Sequence, residues 1–233
     1  MKKYLLCGTV LLLSILCGCQ ANRYNKAMEQ YKCCEYEDAL WNLSKITDYE
    51  DSTQKMVEIV SAYTKDLIKN EQYDKATSVL QEYAYLEDYS VQIEGISAYK
   101  KAKGYLKIKD YSSAIDILRD LDQNYFDCEE LVTSYDELSN SPFIGKRSVT
   151  ASSVLGTKYK MTIDVTLGYK GEKFVLNVYK TVKTLDGYLM LDDDYSVYAY
   201  EIKDNTISKG KYKWKMENGY LVETDNGSTY YYR

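Results

Sequence analysis

Two short acidic clusters are the stretches of this 233-residue chain whose residue types could support chemistry. Residues 48–52 read DYEDS and residues 191–196 read LDDDYS, with three carboxylates in each. Calcium takes about six to eight oxygen ligands, usually beside a glycine that turns the loop, and neither cluster has that pattern. Paired carboxylates can also hydrolyse glycosides, but no motif ties these residues to a cleft. We therefore predict a solvated turn for the second cluster and a structural role for the first.

The chain contains no histidine, which removes the commonest general base and the commonest metal ligand. Ser–His and Cys–His nucleophile pairs and histidine-containing zinc sites are thereby excluded. The phosphate-binding patterns G-x-x-x-x-G-K-[ST] and G-x-G-x-x-G do not occur. These observations predict a protein that is not an enzyme, with no catalytic residue, no cofactor and no metal.

The first residues are typical of an export signal. Lys2 and Lys3 precede an almost entirely apolar run over residues 4–16, which has the length of a secretory signal and is too short to span a bilayer. The run ends in Leu16-Cys17-Gly18-Cys19, which resembles the lipobox of bacterial lipoproteins. The resemblance implies diacylglycerol on the Cys19 sulfur and cleavage before Cys19.

This resemblance also implies a location. Residues 1–18 would be a lipoprotein signal peptide and residues 19–27 a lipidated polar tether. Acyl chains on Cys19 would hold the protein on the extracytoplasmic face of the cell membrane, with membrane lipid as a partner. In such a compartment, and with an acidic total charge, nucleic acid is not expected as a partner.

The mature chain has three further cysteines, Cys33, Cys34 and Cys128. Because their number is odd, we expect no closed disulfide framework. Cys33 and Cys34 are predicted to be small buried side chains in a helix, and a bond from either of them to Cys128 stays an open alternative.

Composition changes at the only proline, Pro142, inside a predicted linker at residues 141–145. Helical spacing of Ala and Leu precedes it, and alternating Val, Thr, Tyr and Lys follow it. Residues 19–140 hold 14 Lys+Arg and 24 Asp+Glu, a net charge of −10, whereas residues 141–233 hold 14 and 11, a net of +3. We therefore predict an α+β protein with helices in residues 28–140 and a separate antiparallel β domain in residues 146–233.

The helical half is repetitive. Segments beginning at Tyr36, Tyr73 and Tyr111 align with a period of 37 to 38 residues, and each has an alanine three residues later: Ala39, Ala76 and Ala114. We interpret the alanine as the place where two helices approach closely and the tyrosine as the plug of the turn between them. One hairpin cannot bury such an apolar stripe alone, whereas a stack of hairpins can. After each second helix, Asp51 and Asp127 are predicted to cap the helix that follows.

This arrangement resembles tetratricopeptide-type repeats, which also place a tyrosine in the inter-helix turn with an alanine three residues later. The likeness covers about residues 24–138. The period is longer than the usual tetratricopeptide length, and the closing proline is absent. The resemblance implies a scaffold or a peptide-binding groove, and nothing in it implies catalysis.

The second half predicts an antiparallel meander. Residues 158–167 alternate apolar and polar side chains, residues 173–183 continue the pattern, and Asn-Gly at 218–219 is a strong hairpin signal. About seven or eight strands joined by short turns predict a small barrel or a sandwich. Aromatic side chains of this half are either cross-strand packing or the wall of a ligand site; the ligand-site residues would be Tyr198, Tyr200, Tyr212 and Trp214.

From these features we predict a non-enzymatic, membrane-anchored protein-interaction scaffold with a protein partner. The alternative is a module whose β domain binds a small molecule, lipid or glycan. A weaker alternative is a cell-wall hydrolase or its accessory. Lysines at 209, 211, 213 and 215 form one outer strand face, to which an anionic cell-wall polymer could bind.

Overall fold

The computed structural model describes residues 19–121, 126–152, 156–170, 173–184, 197–199, 202–203, 205–209, 212–225 and 227–233. Helices come first and strands second: the last helix ends at Ser139 and the first strand begins at Gly145. The predicted α+β class, with an N-terminal helical region and a C-terminal antiparallel region, is confirmed. The predicted signal peptide, residues 1–18, lies outside the described residues. Within the described residues, no helix is both long and apolar enough to cross a membrane.

In the described chain there are seven helices: α1 (residues 19–32), α2 (Tyr36–Leu43), α3 (Ser52–Lys69), α4 (Tyr73–Glu82), α5 (Ser90–Lys107), α6 (Tyr111–Asp120) and α7 (Cys128–Ser139). The first six form three pairs, each joined by a turn of three residues. Residues 19–27, expected to be a polar tether, are helical, because they are the first part of α1, whose later residues Gln30 and Tyr31 contact α2. Ala27 is accordingly fully buried.

The three hairpin turns share one backbone geometry. The amide at the end of each turn donates to the carbonyl five residues earlier: Glu35 to Gln30, Gln72 to Leu67, and Asp110 to Tyr105, at 2.9, 2.8 and 3.0 Å. The residue before each donor has a left-handed backbone: Cys34, Glu71 and Lys109, with φ of 61°, 57° and 65°. This is the Schellman ending of a helix, which satisfies its last carbonyls. The sequence period therefore has a backbone counterpart.

The second helix of each pair begins at the repeated tyrosine and buries the repeated alanine. Ala39, Ala76 and Ala114 are all fully buried. Each is followed by an aliphatic stripe at helical spacing, made of Leu40 and Leu43, Val79 and Leu80, or Ile115 and Leu118. A small side chain at this point allows the neighbouring helix to approach, and the larger side chains beside it fill the core.

The chain divides into two compact units, Met1–Lys100 and Lys101–Arg233, which we call the helical unit and the mixed unit. The boundary lies within α5, so α6 and α7 belong with the strands. The change of composition at residues 141–145 marks the place where helix gives way to strand. Those residues are firmly held, because Phe143 is fully buried and the Arg147 guanidinium donates to the carbonyls of Pro142 and Phe143, both at 2.8 Å.

The mixed unit contains two antiparallel sheets. The first has the order β1-β2-β3-β4, with strands β1 (Gly145–Ser152), β2 (Lys158–Lys170), β3 (Lys173–Thr184) and β4 (Val197–Ala199). The second has the order β5-β6-β7-β8-β9, with strands β5 (Ile202–Lys203), β6 (Thr206–Lys209), β7 (Tyr212–Glu217), β8 (Tyr220–Asp225) and β9 (Ser228–Tyr232). Reciprocal backbone hydrogen bonds join Ser148 of β1 to Arg233, at 3.0 and 3.2 Å.

Alternation and turn chemistry build these sheets as the sequence predicts. In β2, Met161, Ile163 and Val165 are buried, while their strand neighbours face outward. The turn between β7 and β8 is Asn218-Gly219, with φ of 50° and 81°. Positive φ at both positions matches the twist of a two-residue hairpin, which Asn and Gly tolerate best.

A buried polar cluster connects the two sheets. The Lys180 ammonium of β3 donates to Glu223 Oε2 of β8 at 2.8 Å, and the Tyr232 hydroxyl of β9 donates to the same oxygen at 2.6 Å. Lys180 and Glu223 are only 6% and 2% exposed. Two charges at such depth are tolerated only because they pair with each other. The cluster therefore ties β3 of the first sheet to β8 and β9 of the second.

Phe174 of β3 joins the last helices to the first sheet. Its ring lies 5.3 Å from Tyr111 of α6, 5.2 Å from Tyr135 of α7 and 5.5 Å from Tyr169 of β2, measured between ring centroids. The first two contacts are edge-to-face, the geometry that aromatic quadrupoles prefer. The preceding residue on the strand, Lys173, pairs with Glu130 of α7 at 2.8 Å.

Replacing Phe174 with alanine should destabilise the mixed unit by about 3–5 kcal/mol, because the ring is almost fully buried and leaves a cavity among three tyrosines. The measurement is urea unfolding followed by Trp214 fluorescence in a Trp41→Phe background, so that the signal reports the mixed unit. Tyr231→Ala, at an exposed aromatic residue of β9, is the control and should cost under about 0.5 kcal/mol. Equal losses for the two variants would contradict this role of Phe174.

Candidate functional site: an acidic, tyrosine-lined cleft

The helical unit contains a cleft of about 310 Å³ at its first two hairpins. The turn between α1 and α2 contributes Cys34 and Glu35, and the first turn of α2 contributes residues 36–38. Tyr63 comes from α3 and Lys75 from the first turn of α4. The left-handed turn at Cys34 ends α1 abruptly, so that the start of α2 faces the neighbouring hairpin. The repeat geometry therefore produces the cleft.

Tyrosine rings form one wall of the cleft. Tyr36 stacks on Tyr63 with the ring centroids 5.2 Å apart and the planes inclined by 25°. Behind this wall, outside the cleft lining, Tyr31 at the end of α1 contacts Tyr36 in a tilted arrangement with the ring centroids 6.2 Å apart. Such a wall offers flat apolar area with hydroxyl groups at its edge, which suits aromatic and cationic side chains.

Glu37 is the centre of the polar contacts in the cleft. It accepts a hydrogen bond from the Tyr63 hydroxyl at 2.5 Å and pairs with the Lys75 ammonium at 3.0 Å. The same ammonium lies 5.4 Å from the centroid of the Tyr63 ring. The cleft thus already holds a cation between a carboxylate and an aromatic face, although this cation belongs to the protein itself.

These contacts shift the pKa values of the cleft residues. The bond from Tyr63, and then Lys75, lowers the pKa of Glu37, while bonding to Tyr63 and Glu37 raises the pKa of Lys75. Burial, and then Glu37, raises the pKa of Tyr63. Because the folded pKa of Glu37 is lowered, its contribution to stability is present above the unfolded pKa and is lost as pH falls through the folded pKa. The raised pKa values of Tyr63 and Lys75 act in the opposite sense, so their contribution is lost only at alkaline pH.

A hydrogen bond with the Cys34 side chain raises the pKa of Tyr36 to about 12. Near neutral pH the charged side chains of the cleft are therefore three carboxylates, Glu35, Glu37 and Asp38, and one ammonium, a net charge of −2. Such a set can bind a cationic or aromatic group. It contains no general base paired with a nucleophile.

The residues predicted to mark the repeat lie at equivalent places. Tyr36, Tyr73 and Tyr111 each begin a helix, but their ring contacts differ: Tyr36 stacks on Tyr63, Tyr73 contacts Tyr99 edge-on at 6.1 Å, and Tyr111 contacts Phe174. The period predicts the positions, whereas the surroundings of each tyrosine differ from one hairpin to the next.

The predicted capping by Asp51 and Asp127 is wrong in its chemistry. Both residues occupy the N-cap position, of α3 and α7 respectively, but neither side chain makes a capping hydrogen bond. Asp51 instead accepts from the Tyr24 hydroxyl at 2.5 Å, which raises the pKa of Tyr24 to about 12. Asp127 accepts from the ammonium of Lys103 at 3.1 Å. In both cases the carboxylate accepts from a residue distant in the chain and not from a backbone amide of the helix that it precedes.

The cysteines also differ from the prediction. Cys33 and Cys34 are exposed in the turn after α1 instead of being buried in a helix, because the helix ends at residue 32. Cys128, at the start of α7, is fully buried. None of the three forms a disulfide bond with another of the described residues. Cys19, the predicted lipidation site, is exposed at the start of the described chain.

Of the aromatic ligand-site candidates of the β region, only Trp214 has a described side chain. Tyr200 and the acidic cluster at residues 192–194 lie outside the described residues. Tyr198 and Tyr212 belong to β4 and β7, and only their backbone is described. Trp214 is fully buried, so it packs in the core and lines no open surface.

Sequence reasoning missed the main partners in the cleft. Tyr63, Glu37 and Lys75 were not assigned to a site. One signal was present: VSAY at residues 60–63 aligns with ISAY at 96–99, and these tyrosines contact Tyr36 and Tyr73. The spacing alone does not predict that the tyrosine after each turn contacts a tyrosine on the first helix of the next repeat.

No family model, no curated protein and no solved structure matches this chain. Among the described residues, no group of three or more Cys, Asp or Glu side chains is arranged to hold a metal ion.

Replacing Tyr63 with phenylalanine should raise the pKa of Glu37 toward its ordinary value of 4.5, because the change removes the hydrogen bond that most favours the carboxylate. The measurement is a carbon-13 NMR titration of the glutamate carboxyl groups. Tyr135→Phe, at the equivalent place in α7, is the matched control and should leave Glu37 unaffected. An unchanged Glu37 titration in Tyr63→Phe would contradict the described contact.

Proposed function

We propose that this chain is a non-enzymatic lipoprotein of the extracytoplasmic membrane face, which uses a tetratricopeptide-like helical array to bind a protein partner. The cleft of the helical unit is the observation that carries the proposal. It is open, has an aromatic wall and a net negative charge, and is built from the repeat itself. The three identical Schellman turns support the comparison with tetratricopeptide-type arrays.

The anchor and the cleft would be close in the chain. Cys19 and Cys34 stand at opposite ends of α1 and its turn, fifteen residues apart. At about 1.5 Å per helical residue, this helix separates them by roughly 20 Å. A partner bound in the cleft would therefore lie near the membrane surface.

The alternative, a small ligand held by the β region, has weaker support. A barrel is favoured over a sandwich by the backbone bonds between Ser148 and Arg233, which connect the first strand to the end of the last. However, the described inner residues, among them Trp214 and Tyr232, are fully buried, so none of them lines an open cavity. For a cell-wall polymer, the exposed Lys213 and Lys215 are the described candidates, and Lys215 is already paired with Glu217 at 3.3 Å.

The Cys19→Ala variant tests the anchor. We expect it to remain as an unprocessed precursor or to be released from the membrane, because no sulfur is left to carry the acyl chains. The measurement is cell fractionation with mass spectrometry of the N-terminus, and Cys33→Ala is the control. Unchanged processing and localisation of Cys19→Ala would refute the lipoprotein assignment.

Site-specific photo-cross-linking in living cells tests the scaffold. A photoreactive residue at Asp38, in the cleft, should give a discrete adduct with a protein partner, since the side chain is exposed beside the tyrosine wall. Glu94, exposed on α5 and outside the cleft lining, should not. A third position, Lys213 of β7, examines the alternative.

Adducts that need the cleft should disappear when Tyr36→Ala is added. If Asp38 gave none while Lys213 gave one, the helical scaffold would be the wrong assignment and the β region would carry the partner.

A further inference from the structure

We infer that the cleft binds an extended segment of a protein partner in which an aromatic residue stands next to a lysine or arginine. This inference rests on the proposed scaffold function and adds the chemistry of the partner. It comes from a comparison of three equivalent tyrosine pairs within the chain, one of which is occupied by such a segment of the chain itself.

The three pairs repeat along the chain. Tyr36 meets Tyr63, and Tyr73 meets Tyr99, 27 and 26 residues apart. The third pair by position is Tyr111 and Tyr135, 24 residues apart. Each pair joins the first residue of one repeat's second helix to the helix that follows. A glutamate stands five residues before the second tyrosine in every pair, at Glu58, Glu94 and Glu130.

The third pair is occupied by a side chain from another element of the same chain, Phe174 of β3. Tyr111 and Tyr135 each contact the ring of Phe174 edge-on, at 5.3 and 5.2 Å. Beside it on the strand, Lys173 pairs with Glu130 at 2.8 Å. The dipeptide Lys173-Phe174 therefore binds a tyrosine pair with its ring and the accompanying glutamate with its ammonium. The protein shows by its own packing what such a pair accepts.

The second pair is closed to any ligand. Tyr73 and Tyr99 are only 7% and 4% exposed, and the neighbouring Lys100 and Asp74 pair with each other at 2.6 Å. Both rings of the second pair are buried, whereas in the first pair Tyr63 is 7% exposed and Tyr36 is only partly buried, so the Tyr36 ring is the face left for a further side chain.

The first pair combines the same ring chemistry with open space. The 310 Å³ cleft lies against Tyr36 and Tyr63, and the repeat's glutamate, Glu58, is taken by Lys55 at 2.8 Å. In this pair the carboxylates that face a cationic ligand are therefore those of residues 35, 37 and 38, which line the cleft. The Lys75 ammonium, held between Glu37 and the Tyr63 ring, marks where a cation is stable.

Charge and packing decide the occupant. A cleft of net charge −2 attracts a cationic segment and repels an acidic one, and its aromatic wall rewards a ring that packs edge-on. A second copy of this chain cannot supply Lys173-Phe174, because Phe174 is 3% exposed and already packed on three tyrosines. Lys173-Phe174 of a second copy is therefore not the occupant, and we assign the cleft to a segment of a different protein.

The test uses four synthetic peptides and the full-length chain in detergent micelles. The reference peptide is GSGKFSGS; the others replace Lys-Phe with Glu-Phe, Lys-Ala or Ala-Ala. Titrations are followed by isothermal calorimetry and by NMR shifts of the cleft residues. We expect the reference to bind, and either single change to weaken its affinity about tenfold.

Variants of the protein locate the site. Asp38→Asn and Glu35→Gln should each weaken the reference peptide and leave the Ala-Ala peptide as weak as before, without disturbing the fold, because both side chains are exposed. Glu130→Gln is the matched control, because Glu130 pairs with Lys173 beside the third tyrosine pair and lies outside the cleft lining. This variant should bind the reference peptide as the parent chain does. Tyr36→Phe keeps the ring and should retain binding, whereas Tyr36→Ala should lose it.

Equal binding of the Lys-Phe and Glu-Phe peptides, shifts outside the cleft, or no binding would overturn this inference. The cross-linking at Asp38 is an independent measurement. An adduct there together with indifference to Lys-Phe would refute the partner chemistry and leave the scaffold function standing. Loss of both would refute the proposed function itself.

Discussion

The packing of Phe174 among Tyr111, Tyr135 and Tyr169 is the contact on which the mixed unit depends. It is the point where β3 meets α6 and α7, and two ion pairs stand beside it, Lys173 with Glu130 and Lys103 with Asp127. Lys103 is itself buried, and its ammonium is shared between Asp127 and the Tyr169 hydroxyl. Because buried polar groups need partners, separating these helices from the strands would break both ion pairs and raise the free energy of the unit. The last helical repeat is consequently part of the strand-bearing unit.

The same repeat position serves three purposes in one chain. Around Tyr73 it is ordinary core, around Tyr111 it receives a strand residue, and around Tyr36 it borders an open, acidic cleft. A solenoid-like repeat buries its apolar stripe by stacking, and this leaves the polar and aromatic residues at each turn free to differ. Variation of function within a repeat is thus compatible with constancy of its backbone.

Local rules and tertiary contacts compete for the same atoms, and Asp51 and Asp127 show which prevails. Each is placed where a helix cap belongs, yet each oxygen accepts from a distant donor, the Tyr24 hydroxyl or the Lys103 ammonium. For Asp127 the donor is a part-buried ammonium, so the bond joins two opposite charges, whereas a capping bond would join the carboxylate to an uncharged amide. The exposed Cys33 and Cys34 make a related point, since a Schellman turn at residue 34 ends the helix that the sequence pattern continued.

The order of helices and strands, the repeat period, the buried alanines and the Asn218-Gly219 hairpin followed from the sequence by itself, because side-chain periodicity and turn chemistry are local properties. The neighbours of each tyrosine, the cleft with its Glu37–Tyr63–Lys75 contacts, and the buried pair of Lys180 with Glu223 were decided only by tertiary structure. Tyr63 and Lys75 are 12 residues apart in the chain, Lys180 and Glu223 are 43 apart, and Tyr111 and Phe174 are 63 apart. No local pattern encodes which distant residues meet, since that depends on how whole elements pack.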